Sequence, residues 1–367
     1  MTKVSKKRAG SLVSEWYGHR VYPRVAAGKQ ALKDQMARRC PFLSAAMETE
    51  KACIKPAASS GICTISSPSN GEQQDWLVCP YRVLGSPIVH EAVTRLFEIE
   101  GSFKLFTGPD LVHERTRRAV HDALAGKQRV FVYVQDKLGG EISLSATERS
   151  PEMSFDTTFV EILRSGEAYA LGKYGILEVQ TMDFHGSYKR VVQNLEDSLR
   201  LHRTKFHKTL ADNQGWLSDR MEGPNIANVF KRTFYQVLLK FRLAGHQNCA
   251  GCVLALPKSV WDSWQRHLGK PEPVPVGPGV SILLAPGLPR PNGRSWIHVF
   301  DLDQDAADPA DSVKSVEIIL ADADTIAHHA LRVAPEAALS DGGSADRILT
   351  RIAIRLNSWW PALTALE

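Results

Sequence analysis

The sequence lacks any apolar run near the roughly 20 residues that a membrane-spanning helix needs. Its positively charged first residues are not followed by the apolar segment of a secretory signal, and it contains no internal repeat. We therefore expect a cytoplasmic protein with no membrane partner. The charge is close to balanced, with 45 Lys and Arg against 40 Asp and Glu and a net charge of +5. This composition permits a polyanionic partner without requiring one.

Tight Cys-x-x-Cys pairs are also missing from the first part of the chain, although four cysteines lie there. Their spacing alone is a weak indication of a metal, and small buried side chains are the alternative. A metal is favoured because cytoplasmic cysteines are usually reduced and because the surrounding sequence has little apolar periodicity to stabilise it. The four candidate ligands are Cys40, Cys53, Cys63 and Cys79. A later Cys-Ala-Gly-Cys segment contains Cys249 and Cys252, which we interpret as ordinary core residues.

The 367 residues, 43% of them hydrophobic, are enough for two domains or one large one. We predict an irregular cysteine-containing region over residues 1–85 and a second domain over residues 86–367. Periodicity predicts helices over residues 87–98, 109–124, 224–245 and 344–360, and strands over residues 129–134, 141–145, 154–160, 174–182, 253–256 and 296–302. Seven prolines predict an unpacked linker at about residues 269–294. This order of elements is typical of an α/β domain.

Two acidic residues in this domain form a candidate catalytic pair. Glu178 and Gln180 lie on the same face of a predicted strand, because side chains alternate along a strand. A neighbouring strand would bring Asp156 opposite them. Such carboxylates suit Mg²⁺, which takes oxygen ligands and activates water for phosphodiester hydrolysis. The alternative, a turn aspartate and a solvent-facing glutamate, stays open on these residues alone.

Eight stretches together resemble the NotI-type restriction endonucleases, in order and along nearly the whole chain. The longest and most specific is YGILEVQTMDFHGSYK, residues 174–189. The others are SEWYGHRVYP (14–23), CPFLSAA (40–46), DWLVCP (75–80), KLGGEISLS (137–145), SPEMSFD (150–156), MEGPNIANVFKRTFYQ (221–236) and SVWDSWQRHL (259–268). The resemblance is weakest in the proline-rich segment and the C-terminal third.

This resemblance implies a PD-(D/E)xK nuclease core, which is a central mixed sheet flanked by helices. It implies a homodimer that uses Mg²⁺ to cleave double-stranded DNA at a GC-rich palindrome, as a type II restriction endonuclease with a companion DNA methyltransferase. Asp156 and Glu178 would bind the metal, and Glu141 would be a further acidic residue of the site. Gln180 stands where the wider superfamily usually has lysine. Because glutamine carries no charge, either a second metal or a neighbouring basic group would have to help.

The resemblance also extends to the four early cysteines. Each matches a cysteine of the family pattern, in which four thiolates hold a structural iron. A closed tetrahedral set of four thiolates leaves no open position, which favours a structural role. Zinc would fit the same ligands, so both metals stay open.

Five polar residues are candidate DNA contacts, with an ordinary exposed polar surface as the alternative. They are His185, Ser187, Lys189, Lys231 and Arg232. Two other functions also stay open. One is a sequence-specific DNA-binding protein with an inactive nuclease fold, and the other is a structure-specific repair nuclease.

Overall fold

The computed structural model describes residues 10–361, apart from residues 70, 85–86, 137, 219–220, 304–305, 307–312 and 341. Its strands are β1 (Leu12–Trp16), β2 (His19–Arg20), β3 (Ile62–Ser69), β4 (Glu72–Leu77), β5 (Phe103–Thr107), β6 (Arg129–Gln135), β7 (Ile142–Leu144), β8 (Met153–Phe155), β9 (Thr157–Ser165), β10 (Ala168–Val179), β11 (Phe184–Gly186), β12 (Met221–Pro224), β13 (Cys249–Pro257), β14 (Val274–Gly277), β15 (Val280–Ile282), β16 (Ser295–Leu302) and β17 (Val313–Leu320).

The helices connect these strands and cover them. They are α1 (Lys29–Ala37), α2 (Pro41–Ala46), α3 (Pro87–Leu96), α4 (Glu114–Ala125), α5 (Lys189–Leu201), α6 (Phe206–Asp212), α7 (Ile226–Leu243), α8 (Lys258–Trp264), α9 (Ala323–His328), α10 (Ala334–Leu339) and α11 (Ile348–Leu356). Within the described ranges, no helix combines the length and apolarity that crossing a membrane requires.

A large mixed sheet forms the centre of the molecule. Among the described residues its strand order is β14-β15-β17-β16-β13-β10-β9-β6-β5. The central strand β10 pairs antiparallel with β9 and parallel with β13. Helices cover both sides of this sheet. The predicted α/β fold with a mixed sheet flanked by helices is therefore confirmed.

The two faces of β10 pack against different helices, as strand alternation requires. Ile176 belongs to the core cluster that contains the buried side of α7, including Val229 and Val237. The next residue, Leu177, belongs to the cluster on the opposite side, with Ile88 of α3. Glu178 therefore shares the face of Ile176, and its side chain is directed towards α7.

The N-terminal region is more regular than its sequence pattern indicates. Strands β2, β1, β3 and β4 form an antiparallel sheet, so the prediction of an irregular region is wrong. All five residues of β1 are buried, including Glu15, which pairs with Arg82 at 2.8 Å. Because a buried, paired charge interrupts the apolar alternation, the strand carries no period-two signal.

This sheet does not stand apart from the rest of the chain. Its residues Val13 and Ile65 share one core cluster with Val191 and Leu195 of α5 and with Leu210 of α6. Core packing therefore crosses the boundary that we predict near residue 85.

The proline-rich segment contains two short strands, so the prediction of an unpacked linker is wrong over residues 274–282. Strand β14 pairs only with β15 within the described sheet and lies at its edge, where Pro275 is opposite Ser281. Proline lacks an amide hydrogen and is tolerated on an edge strand, whose outer side needs no donor. The helix predicted over residues 344–360 is shorter in the structure, where it comprises α11. Its apolar side chains are exposed.

Candidate active site

Asp156 and Glu178 are held together by two reciprocal main-chain hydrogen bonds. The amide of Val179 donates to Asp156 Oδ2 at 3.0 Å, and the amide of Asp156 donates to Glu178 Oε1 at 3.3 Å. The register of β9 and β10 places Thr157 opposite Leu177, so Asp156 immediately precedes the pairing and lies beside Glu178. This confirms that a neighbouring strand brings Asp156 to Glu178.

The two carboxylates line a cleft of about 310 Å³ at the end of β10. All four residues that sequence analysis assigned to catalysis line this cleft. They are Glu141, Asp156, Glu178 and Gln180. Glu141 lies immediately before β7, whose hairpin with β8 leads directly into Asp156. The fold therefore brings side chains from three separate segments of the chain into one concave site.

A buried ion pair lies in the cleft. Lys240 Nζ lies 2.5 Å from Glu178 Oε2, and the two side chains are only 6% and 9% exposed. Burial, followed by the charge of Asp156, raises the pKa of Glu178 to about 8, while Lys240 acts in the opposite direction. Two close carboxylates in this environment are unfavourable without compensating positive charge, and Lys240 supplies part of it.

Sequence reasoning missed Lys240, although α7 was predicted. The lysine lies on the buried side of the helix with Thr233 and Val237, at the spacing that places residues on one helical face. A lysine at a position of the apolar stripe is the signal that would have identified it, because unpaired lysines are almost never buried.

The Gln180 amide is engaged in local contacts. Its Nε2 donates to the carbonyl oxygen of Thr181 at 2.5 Å, and its Oε1 is hydrogen-bonded to the hydroxyl of Thr233. These contacts tie the end of β10 to α7. They place a neutral side chain, not a cation, beside the carboxylates.

A second pair that sequence reasoning missed joins the cysteine region to the cleft. Tyr81 donates a hydrogen bond to Asp136 Oδ2 at 3.0 Å, and both residues line the cleft. Tyr81 lies in a short 3₁₀ turn, Pro80–Val83, which begins directly after Cys79. The aspartate follows β6, where nothing in the local sequence distinguishes it from an exposed loop residue.

Of the five candidate DNA contacts, Arg232 lines the cleft. It forms an ion pair with Asp183 at 2.9 Å, and both side chains are about half exposed. Lys231 is exposed on α7 outside the cleft lining. The remaining three are exposed and do not line the cleft: His185 lies in β11, Ser187 follows β11, and Lys189 begins α5.

The four N-terminal cysteines converge in one small cluster. Cys40, Cys63 and Cys79 are buried there, and Cys53 packs against them. The thiol of Cys63 is hydrogen-bonded to that of Cys79, which raises the pKa of Cys63 and lowers that of Cys79. Residues from four separate segments therefore meet, although their spacing in the sequence gives no metal-binding pattern.

Backbone amides point at the sulfur atoms of this cluster. Gly18 N donates to Cys63 Sγ at 3.3 Å, and Gly61 N donates to Cys53 Sγ at 3.4 Å. Two of the cysteines also begin similar turns. Cys40 and Cys79 each precede a proline at the start of a short helix, without a side-chain capping hydrogen bond. Burial raises the pKa of Cys40 to about 12, whereas the hydrogen bond with Cys63 lowers that of Cys79 to about 6.

Among the described residues, no group of three or more His, Cys, Asp or Glu side chains is arranged so that it could hold a metal ion. The two-carboxylate cleft and the cysteine cluster therefore stay predictions as metal sites. Cys249 and Cys252 lie elsewhere, buried in β13, where burial raises the pKa of both thiols.

No known protein-family model matches the chain. The curated proteins compared with it contain no match either.

Proposed function

We propose that the protein is a magnesium-dependent type II restriction endonuclease with a PD-(D/E)xK nuclease core, as the NotI-type resemblance implies. The observation that carries this proposal is the cleft in which Asp156 and Glu178, fixed to each other by main-chain hydrogen bonds, meet Glu141 and Lys240. Convergent carboxylates with one buried cation suit hydrolysis of a phosphodiester.

Asp156 and Glu178 are the residues that would hold Mg²⁺. The fit rests on their chemistry, since Mg²⁺ is commonly bound by one or two carboxylates together with oxygen atoms of the substrate phosphate. The raised pKa of Glu178 supports the same assignment, because burial beside Asp156 leaves a need for positive charge. When bound, the ion neutralises the phosphate and polarises the attacking water.

The other residues of the cleft orient the reactants. The Gln180 amide positions the end of β10 against α7, and its location supports a role in placing the attacking water. Arg232 at the rim carries a charge that a DNA phosphate would attract away from Asp183. A palindromic GC-rich site would be read by a twofold homodimer, with one half-site for each subunit. A companion DNA methyltransferase would protect the host site.

We also propose that the cysteine cluster binds one structural metal, iron or zinc. The amide-to-sulfur hydrogen bonds from Gly18 and Gly61 support this assignment, because they stabilise negative charge on the sulfurs. Four thiolates would close the coordination shell and leave no position for substrate.

The direct test of the enzymatic proposal compares DNA substrates. Purified protein with Mg²⁺ is incubated with a linear GC-rich duplex and, separately, with flap and junction oligonucleotides. The proposal expects cleavage of the duplex at fixed positions and none in a chelator. Cleavage of branched DNA regardless of sequence would instead support a repair nuclease, and specific binding without cleavage would support an inactive nuclease fold.

A further inference from the structure

We propose that Lys240 is a catalytic residue that places its ammonium group beside the scissile phosphate, supplying the positive charge that β10 does not carry. This inference rests on the proposed phosphodiester hydrolysis. The charge comes from helix α7, which lines the cleft together with the segments that carry the carboxylates.

Lys240 is buried inside the cleft. Its side chain is 6% exposed, and its Nζ lies in the cleft against Glu178. The ammonium also lies 5.7 Å from the centre of the Phe155 ring, a favourable contact for a cation. Burial of a lysine requires such compensation. The helix therefore holds one charged group in a defined place that faces the carboxylates.

Two cationic side chains line the cleft, and they differ in exposure. Among the described residues that line it, the cationic side chains are Lys240 and Arg232. Arg232 is half exposed and paired with Asp183, so it belongs to the rim. Gln180 is neutral and is bonded to Thr181 and Thr233. Lys240 is thus the cation that lies nearest the candidate metal ligands.

The reaction explains why this location matters. A water oxygen forms a bond to phosphorus, and a phosphorus–oxygen ester bond breaks. The leaving oxygen takes up a proton, and a proton of the attacking water passes to solvent. Negative charge grows on the phosphate oxygens during this step, and a fixed charge in a water-poor site stabilises it strongly. An ammonium acts here as a compact point charge with three donors.

The test uses Lys240→Met, which keeps the length of the side chain and removes its charge. We expect the single-turnover cleavage rate to fall about 10²- to 10³-fold, the usual effect of losing one such electrostatic group. Affinity for the cognate duplex in Ca²⁺ should change by less than about fivefold, since the rim contacts remain. The rise in melting temperature that Mg²⁺ causes should persist, because Asp156 and Glu178 are intact.

Two further variants separate catalysis from a structural role. Gln180→Lys combined with Lys240→Met returns a cation to the cleft from β10 and should regain at least about tenfold in rate over Lys240→Met alone. Arg242→Met is the matched control, because Arg242 lies on the same helix, is 66% exposed and pairs with Asp324 away from the cleft. It should cleave at the wild-type rate.

Three outcomes would overturn the assignment. Cleavage by Lys240→Met within about threefold of wild type would show that the charge is not needed. Loss by Lys240→Met of both the Mg²⁺-induced stabilisation and the cleavage activity would show that the lysine only holds Glu178 in place. If the methionine variant does not fold, the uncharged Lys240→Gln replaces it in that comparison. Absence of cleavage by the wild-type protein would overturn the proposed function itself, which distinguishes the two failures.

Discussion

Asp156 and Glu178 each accept a hydrogen bond from the backbone of the other's strand, at 3.0 Å from Val179 N and at 3.3 Å from Asp156 N. The two carboxylates are thereby fixed by the pairing of β9 with β10 and do not depend on flexible side chains alone. Such preorganisation is what a metal-dependent hydrolytic site needs, because its ligands must be in place before substrate arrives.

Asp156→Asn and Glu178→Gln each remove a candidate metal-binding charge while retaining the shape of the side chain. We expect either change to lower the cleavage rate by at least about 10³-fold, since the stabilisation that the metal supplies amounts to several kcal/mol. Specific DNA binding should survive. Cleavage kinetics and gel-shift titration of the purified variants check this. Undiminished cleavage by either variant would remove that residue from the proposed site.

The stability of the metal-free protein should depend on pH through Glu178. Its pKa is raised in the folded state to about 8, by burial and by Asp156. The folded state therefore binds the proton more tightly than the unfolded state, and this stabilisation is present below the ordinary pKa of 4.5 and is lost as the pH rises towards 8.

Glu178→Gln removes that proton uptake and gives the matched comparison. Relative to wild type, its free energy of unfolding should increase between pH 5 and pH 8, by at most about 1.4 kcal/mol per pH unit. Urea unfolding in a chelator at several pH values measures the difference. Parallel pH profiles for the two proteins would contradict the assigned protonation of Glu178.

Cys63→Ser should release the structural metal. Cys63 is buried in the cysteine cluster, and a four-thiolate site that loses one ligand binds its metal far less tightly. Elemental analysis should find about one iron or zinc per wild-type chain and little in the variant. Cys249→Ser is the control, since Cys249 is equally buried in β13 but lies outside the cluster. Equal metal content in all three proteins would refute the cluster as the binding site.

Tyr81→Phe tests the connection between the cysteine cluster and the cleft. The change removes the hydrogen bond to Asp136, while the turn after Cys79 keeps its backbone. We expect a modest loss of cleavage rate, about three- to tenfold, because one partly exposed hydrogen bond is lost. Metal content should remain at the wild-type level. A wild-type cleavage rate would show that Tyr81 takes no part in shaping the site.

The position of the candidate site could be predicted because it depends on local periodicity. Alternation along β10 placed Glu178 and Gln180 on one face, and the antiparallel pairing with β9 then brought Asp156 beside them. Both features arise within one pair of neighbouring strands, so the sequence contains them.

Lys240 could not be placed in the same way. Its partner Glu178 lies on a strand, and the contact depends on how α7 packs across the sheet. Buried, paired charges also interrupt the apolar alternation elsewhere, as Glu15 does in β1. Periodicity identifies apolar faces. Periodicity does not identify which charged residue forms an ion pair in the protein interior.

The most direct test of the central claim is to digest GC-rich genomic DNA with the purified protein and Mg²⁺ and to sequence the fragment ends. The proposed function predicts discrete ends that share one GC-rich palindrome, and no cleavage in a chelator. Intact DNA with both Mg²⁺ and Mn²⁺, or ends without a common sequence, would contradict it.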